Sequence, residues 1–297
     1  MEINRANLDA MFRGYNLAFQ TFFDGAPSDW PQIATPVPST TSVEVYPWLG
    51  QTTGFREWIG DRVVQNLATS DFSIKNKDWE NTIGVLKNTI EDDSYGVYKP
   101  VFEQMGRDAK EHPDTLVWSL LQKGFNSTCY DGQYFFDTDH PVKKPGGGTM
   151  SVSNFQGGTG NPWFLVDNTR AIKPIIYQVR KPYNFVSLQN LDDPNVFWNK
   201  EFHFGVDARS NVGFGLWQIA FASRQALDGN AFDDMYAQMS GLPGDNGRPL
   251  GIRPKLLICG PSNRSKALEV VKADRNAMGA TNINRDAVDV LVTPWLP

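Results

Sequence analysis

The hydrophobic positions near the start of the chain repeat with a helical period. Over residues 4–23, large apolar side chains recur every three or four positions on one face, which predicts an amphipathic helix. The side chains on that face are Leu8, Met11, Phe12, Tyr15, Phe19 and Phe22. The pattern stops at residues 24–27, and Pro31, Pro36 and Pro38 keep the following chain extended. A single apolar helix on a proline-rich tether must dock on a larger body, either its own or a neighbour's, so we interpret it as an arm.

A second pattern, rich in β-type residues, runs through segments 43–49, 55–66 and 70–90. Within the last segment, residues 72–75 and 82–85 are predicted to be the two legs of a long hairpin. The polar residues that follow the first leg would form its turn, although no Asn-Gly or Asp-Gly marks it. A two-stranded ribbon with few apolar residues is only marginally stable alone, so we expect a partner surface to support it.

The clearest long helical pattern covers residues 98–123, with Pro113 inside it. A proline at that point fits either a kink or the first turn of a second helix. After the proline the apolar side chains form a tight stripe, and Gly124 is a suitable C-cap. Further on, residues 131–132 (Asp-Gly) predict a turn before an aromatic strand at residues 134–136.

From residue 163 the pattern mixes strands with shorter helices. Apolar runs and period-2 alternation predict the strands, and a helix is expected at about 263–274. The predicted strands are residues 163–166, 175–179, 202–207, 255–259 and 288–292. Together with the two long helical patterns, these elements predict an α+β protein.

Composition narrows the function classes. The 297 residues carry 28 basic and 33 acidic side chains, and the basic residues are not clustered enough for a nucleic-acid-binding surface. No apolar run approaches the roughly 20 residues that span a bilayer, and the start of the chain lacks the layout of a signal peptide. Cys129 and Cys259 lie in unrelated contexts, which fits a reducing compartment. We therefore expect a protein that folds in a cytoplasm.

The sequence offers one candidate for a metal or acid–base site. Asp137, Asp139 and His140 lie close together, and carboxylate and imidazole groups can bind zinc or manganese. On a strand, however, the two carboxylates would share one face while the histidine points to the other. The alternative is a polar turn in which Asp139 caps and His140 ends the strand, and we favour that interpretation.

Two further candidates have equally simple structural explanations. Cys129 could act as a thiol nucleophile with His140 as base and Asp137 as orienting group, but a small buried cysteine is the simpler interpretation. Residues 260–263 (Gly-Pro-Ser-Asn) are placed like a phosphate-binding turn, yet they lack the glycine and lysine patterns of such loops. A tight turn with Ser262 as a helix N-cap explains them. We therefore predict no catalytic, cofactor-binding or metal-binding residues, and no enzyme.

Four stretches of the chain, in their order, resemble the major head subunits of Mu-like phages, whose members are similar to HK97-type major capsid proteins. The stretches are FREWIGDR at 55–62 with SIKNK at 73–77 and IEDD at 90–93; YFFDTDHP at 134–141; the segment from Lys173-Pro174 through Gln178 and Arg180-Lys181 to GVDAR at 205–209; and GRPLGI at 247–252 with LLI at 256–258 and residues 282–296. They cover nearly the whole chain after residue 50, and their order is more specific than any one of them.

The resemblance implies an α+β fold of the HK97 type and a division of the chain into five parts. These are an N-terminal arm (1–42), an E-loop hairpin with flanking strands (43–90), a peripheral domain with a long spine helix (91–162), an axial α/β domain (163–280) and a C-terminal strand that returns to the peripheral domain (281–297). It also implies the function of a major capsid protein of a tailed bacteriophage. Such a protein assembles itself into an icosahedral shell around double-stranded DNA, in the virion and first in the cytoplasm of the bacterial host.

The partners implied by the resemblance are chiefly copies of the chain itself, in pentamers and hexamers. A portal protein, a cement protein and packaged DNA bound without sequence specificity complete the set, and no membrane is involved. Because Met1 leads directly into the arm, we expect scaffolding to come from a separate protein. Arm and E-loop are expected to bury against neighbouring subunits. The residues expected at these contacts are Phe12, Phe19, Phe22, Trp58, Ile74 and Trp79.

Two other function classes stay open from the sequence. An encapsulin-like compartment would share the fold but enclose protein cargo instead of DNA. A metal-dependent hydrolase would use Asp137, Asp139 and His140.

Overall fold

The computed structural model of the protein describes residues 4–47, 49, 72–92, 96–276 and 278–297. Within these ranges the helices are Arg5–Gly25 (α1), Lys87–Asp92 (α2), Lys99–Lys123 (α3), Pro194–Asn199 (α4), Gly229–Ser240 (α5) and Arg264–Val271 (α6). The strands are Ala34–Pro38 (β1), Val43–Val45 (β2), Ser73–Lys75 (β3), Lys77–Leu86 (β4), His140–Lys143 (β5), Thr149–Val152 (β6), Phe155–Gly158 (β7), Trp163–Val166 (β8), Ile175–Leu188 (β9), Glu201–Phe214 (β10), Ala220–Arg224 (β11), Leu256–Cys259 (β12) and Asp289–Val292 (β13).

The first sheet is built on two long strands. Its order is β1-β9-β10-β4, with β1 parallel to β9 and the other neighbours antiparallel. Along the second half of β9, half-buried and exposed residues alternate, which is typical of a sheet covered on one face. The covered face packs on α1 and α3 through Phe185, Phe204 and Val206.

The second sheet is shorter and more deeply buried. Its order is β13-β12-β8-β11-β7, and all residues of β8 and β12 are buried. Strands that are covered on both faces carry continuous apolar runs, as WFLV in β8 and LLIC in β12 do. Phe232 and Met235 of α5 and Val271 of α6 belong to the same core. The sequence predictions for these strands and for a helix after β12 are confirmed.

Helix α3 connects the two cores. Its first half places Phe102 and Met105 against α1 and the first sheet, while Val117 and Trp118 in its second half lie in the core of the second sheet. The helix runs through Pro113 without a break, so the alternative of two separate helices is wrong. Gly124 caps its end, as predicted.

Helix α1 docks on the chain's own α3. A Cβ atom on Gly106 of α3 would lie 2.2 Å from the carbonyl oxygen of Phe19 in α1, so the two helices approach as closely as glycine permits. Tyr15 stacks on Phe102 with ring centroids 4.1 Å apart. At its start, the side chain of Asn4 accepts a hydrogen bond from the backbone of Asn7 at 2.9 Å. The arm helix therefore has a packing surface within its own subunit.

The predicted hairpin legs do not pair with each other. β3 (residues 73–75) pairs with β2, and β4 (residues 77–86) pairs with β10, so the predicted pairing of residues 72–75 with residues 82–85 is wrong. Only Asn76 separates β3 from β4, and its backbone N–H donates to the carbonyl of Ser42 at 3.0 Å. One residue is too short for the chain to turn back on itself, whereas hairpin loops need two or more residues. β3 instead forms an antiparallel pair with β2, which precedes it by about 30 residues.

One other sequence prediction differs from the structure. Residues 134–136 form no regular strand: Phe135 and Phe136 are buried, and their backbone N–H groups donate to Ser127 and Gly124. The segment 163–280, grouped as one axial domain from the resemblance, contributes strands to both sheets, because β9 and β10 lie with β1 and β4. None of the helices in the described ranges has the length and apolar character needed to cross a membrane.

Candidate functional site

The residues proposed as a metal or acid–base site do not come together. His140 begins β5 instead of ending a strand, and its ring is buried. Asp137 folds back on its own loop and accepts hydrogen bonds from the backbone N–H groups of Tyr134 (3.2 Å) and Thr138 (2.7 Å). Asp139 is exposed. The hypothesis of a hydrolase that uses Asp137, Asp139 and His140 therefore loses its geometric basis.

A different cluster forms around His140. Among the described residues, Cys129, Asp131 and His140 make up the one group of potential metal ligands whose donor atoms all lie within 4.8 Å of one another. Asp131 lies between the other two: it accepts from the Cys129 thiol at 3.0 Å and contacts His140 Nδ1 at 2.7 Å. The imidazole also stacks on Trp217, with centroids 3.9 Å apart.

The electrostatics of this cluster favour a structural role. Burial, reinforced by the negative charge of Asp131, raises the pKa of the Cys129 thiol, so the sulfur stays protonated at neutral pH. Burial alone would raise the pKa of Asp131, but the hydrogen bonds from His140 and Cys129 outweigh it and lower that pKa. A protonated thiol is a poor nucleophile. The predicted orienting group, Asp137, is replaced by Asp131, and the three side chains hold the loop between α3 and β5.

The turn at residues 260–263 is occupied by the chain itself. A Cβ atom on Gly260 would lie 2.0 Å from the carbonyl oxygen of Pro297, and the Ser262 hydroxyl donates to the same oxygen at 2.8 Å. The N-cap of α6 is Asn263, so the predicted capping role of Ser262 is wrong. The end of the chain thus fills the space beside Gly260 and takes the hydrogen bond of the Ser262 hydroxyl.

The residues expected at intersubunit contacts have varied environments. Phe19 and Ile74 are buried within the subunit, and Phe12 is half-buried against Phe185 of β9. Trp79 is half-buried too: its indole N–H donates to the Ser210 carbonyl at 3.0 Å, and its ring meets His112 edge-on. Phe22, near the end of α1, is 42% exposed. Trp58 lies outside the described residues. A contact with neighbours stays a prediction for all six.

The structure exposes an apolar surface that the sequence analysis missed. Phe197 and Trp198 of α4 are 71% and 77% exposed, and their rings meet edge to face with centroids 4.9 Å apart. They lie in the connection between β9 and β10. β9 ends at the exposed Leu188, and the exposed Leu86 of β4 pairs with Glu201 at the start of β10. We call Leu86, Leu188, Phe197 and Trp198 the tip. The sequence did contain a sign of this surface. Two adjacent aromatic residues lie in a short turn between Asp193-Pro194 and Asn199.

Comparison with known proteins places the chain in a family. The model of the family described as Mu-like prophage major head subunit gpT matches residues 8–296. The chain is 40% identical over 284 residues to the Mu-like prophage FluMu major head subunit of Haemophilus influenzae, covering 93% of this chain and 92% of that protein.

Solved structures agree with that placement. The subunit of the procapsid of bacteriophage JBD30 superimposes with a TM-score of 0.88 at 45% identity, over 99% of this chain and 100% of that one. The capsid of the same phage decorated with minor capsid protein trimers gives a TM-score of 0.77 at 37% identity, over 92% of both chains.

These matches, together with the spine helix α3 and the two sheets on either side of it, identify the architecture as an α+β fold of the HK97 capsid type. The match to the procapsid subunit covers 99% of the chain, so the relationship extends over the arm, the sheets and the C-terminal strand alike. The chain belongs to the family of Mu-like major head subunits, the capsid proteins that form the shell of a tailed phage head.

Proposed function

We propose that this chain forms an icosahedral shell of pentamers and hexamers that encloses a double-stranded DNA genome. The observation that carries the proposal is the match to the procapsid subunit of bacteriophage JBD30 over 99% of this chain. A closed symmetric shell repeats every contact many times, so contacts that are weak singly become sufficient together. In this function the chain contributes surfaces and no catalysis.

The contact surfaces we propose are those that the subunit leaves exposed. Leu17 and Phe22 of α1 present large apolar side chains to solvent, and so do Phe197 and Trp198 of the tip. Tryptophan and phenylalanine are enriched at the centres of protein interfaces, where they contribute large contact areas. The buried Phe19 and Ile74 would support these surfaces from within the subunit.

Several partners follow from the relatives. The JBD30 capsid is decorated with minor capsid protein trimers, and we propose an equivalent cement protein for this shell. A separate scaffolding protein and a portal protein are proposed on the family resemblance. The named relatives are phage head proteins, so they give no support to an encapsulin-like compartment.

The charge of the chain fits a container for DNA. With a formal net charge of -5, the subunit has no excess of positive charge for binding phosphates, so the packaged genome would stay loosely held. Empty shells that retain DNA at low salt would count against this part of the proposal.

Electron microscopy tests the proposal as a whole. The chain would be co-expressed with its neighbouring genes and the particles imaged in negative stain, beside a Phe197→Ser/Trp198→Ser double variant. Uniform icosahedral shells from the natural chain, and unassembled subunits from the variant, are expected. Small oligomers of the natural chain would overturn the proposed function. Normal shells from the variant would contradict the role of the tip as a contact surface and would leave the proposed function intact.

A further inference from the structure

The segment that would form the E-loop starts and ends on a very small strand pair. β2 and β3 have three residues each. Beyond them, the N–H of Tyr46 donates to the carbonyl of Phe72 at 2.9 Å. Ribbons of this size are not stable in water without further support. Other contacts must therefore hold the base of this segment, by which we mean residues 39–46 and 72–76.

A buried polar cluster joins the base to the first sheet. Gln178 of β9 is fully buried, and its side-chain oxygen accepts from the Tyr46 hydroxyl at 2.8 Å. Its amide nitrogen donates to the Asn76 side-chain oxygen at 2.8 Å and to the Ile74 carbonyl at 3.1 Å. The side chain of Gln178 thus bonds to both parts of the base, to Tyr46 in the first and to Ile74 and Asn76 in the second.

Asn76 extends the cluster to the preceding turn. Its side-chain nitrogen donates to the Ser39 hydroxyl and to the Thr41 carbonyl, each at 2.8 Å. Both hydrogens of each amide are therefore used, and both amide oxygens accept. The Ser39 hydroxyl in turn donates to Glu44 of β2 at 2.9 Å, which links the turn back to the ribbon.

An apolar contact completes the attachment. A Cβ atom on Gly213 of β10 would lie 2.3 Å from Cδ1 of Ile74, so Ile74 sits directly over a position where the sheet has no side chain. Tyr46, Leu49 and Ile74 share a buried cluster with Ile176 of β9. The base is thus seated on the sheet as well as hydrogen-bonded to it.

Hydrogen bonds fix direction more strictly than apolar contacts do. An apolar patch tolerates sliding, whereas a shift of the base would leave buried amide groups without partners, which is costly. We infer that Tyr46, Asn76 and Gln178 are positioning residues that fix both ends of the E-loop segment, residues 46 and 72, on the first sheet, and that shell assembly depends on them. This inference rests on the proposed function.

Two variants, each with a matched control, test the inference. Asn76→Ala removes a buried amide with two acceptors, and Asn282→Ala removes an amide of similar burial that donates to Val270 and Ala273 at the end of α6. The milder Tyr46→Phe removes one hydroxyl bonded to a glutamine. Its control, Tyr130→Phe, does the same at Gln218.

The first measurement is backbone hydrogen exchange on unassembled subunits. In Asn76→Ala, we expect the amides at residues 43–46 and 72–76 to exchange about tenfold faster, because a lost buried hydrogen bond shifts local opening by that order. The amides of β10 should keep their rates. Equal acceleration throughout the subunit, or none at the base, would overturn the inference.

The second measurement is the yield of shells by negative-stain electron microscopy. Asn76→Ala should lose most of its shells and Tyr46→Phe should lose some, while both controls assemble like the natural chain. Normal shells from Asn76→Ala despite faster exchange would overturn the assembly role. If the natural chain itself forms no shells, the proposed function fails, and the exchange result still decides whether the cluster holds the base.

Discussion

The two sheets differ in how much of their surface is buried within the subunit. The second sheet is enclosed: every residue of β8 and β12 is buried, and α5 and α6 supply side chains to the same core. The first sheet has one covered face, and its strands extend to the exposed aromatic residues of the tip. One sheet buries its apolar surface within the subunit, whereas the other ends at large apolar side chains that stay exposed.

Because of this difference, we expect different residues to determine the stability of the subunit and its assembly with other copies. Side chains in the enclosed sheet should matter for folding, and those at the end of the long sheet should matter only when copies meet. The helix pair α1–α3 lies between these extremes, because it is buried in the subunit but covers the first sheet. Substitutions in the three regions should therefore have effects of graded size on the free energy of unfolding.

The largest effect is expected in the enclosed sheet. Phe221 of β11 is fully buried in its core, so Phe221→Ala should lower the free energy of unfolding by about 3–5 kcal/mol. Denaturant unfolding of the isolated subunit, followed by tryptophan fluorescence, measures this change. A loss below about 1 kcal/mol would mean that the second sheet does not dominate stability.

A smaller effect is expected where α1 meets α3. Gly106→Ala would place a methyl group against the backbone of Phe19, which cannot move aside as a side chain could, and should cost about 1–3 kcal/mol. The control is Gly14→Ala in α1, where no atom lies within 4 Å of the added carbon, and it should stabilise by about 0.5–1 kcal/mol. Thermal unfolding compares the two. Equal shifts in both variants would contradict close packing of the helices.

A local effect of pH is expected at the turn before β2. Backbone hydrogen bonds from Thr41 and Thr40 and the Ser39 hydroxyl lower the pKa of Glu44 from 4.5 to about 2. Because the folded pKa is the lower one, this contribution is complete above pH 4.5 and is lost as the pH falls towards 2. The amides of Thr40 and Thr41 should lose exchange protection over that window. Glu44→Gln should show no such pH dependence.

The smallest effect on unfolding is expected at the tip. Phe197→Ser/Trp198→Ser should change the free energy of unfolding by no more than about 0.5 kcal/mol, because both side chains are mostly in solvent already. Calorimetry of the subunit measures this. A large destabilisation would show that the tip belongs to the fold, and its proposed use as a contact surface would then lose its basis.

Elements with strong local patterns were predictable from the sequence. The helical period of α1 and the long pattern of α3 each predict a helix, and the apolar runs of β8 and β12 each predict a buried strand. The pairing of β3 was not predictable, because its partner β2 lies some 30 residues earlier and neither strand has a distinctive pattern. The residues 72–75 and 82–85 looked like partners only because they are close in sequence.

The candidate sites show the same limit. Asp131 meets His140 because the loop between α3 and β5 folds back, and no spacing rule indicates that contact. The choice of Asp137 followed sequence proximity. The cluster of Tyr46, Asn76 and Gln178 joins three distant segments, and its members are ordinary polar residues until the fold brings them together.

The single helix α3, shared by both cores, also restricts how the gene can change in length. Adding or removing one residue between Ala109 and Val117 would rotate one half of the helix by roughly 100° relative to the other, since an α-helix has 3.6 residues per turn. Either Phe102 and Met105 or Val117 and Trp118 would then face away from their core. Insertions and deletions should accumulate in the loops of this lineage, and the length of the spine should stay constant.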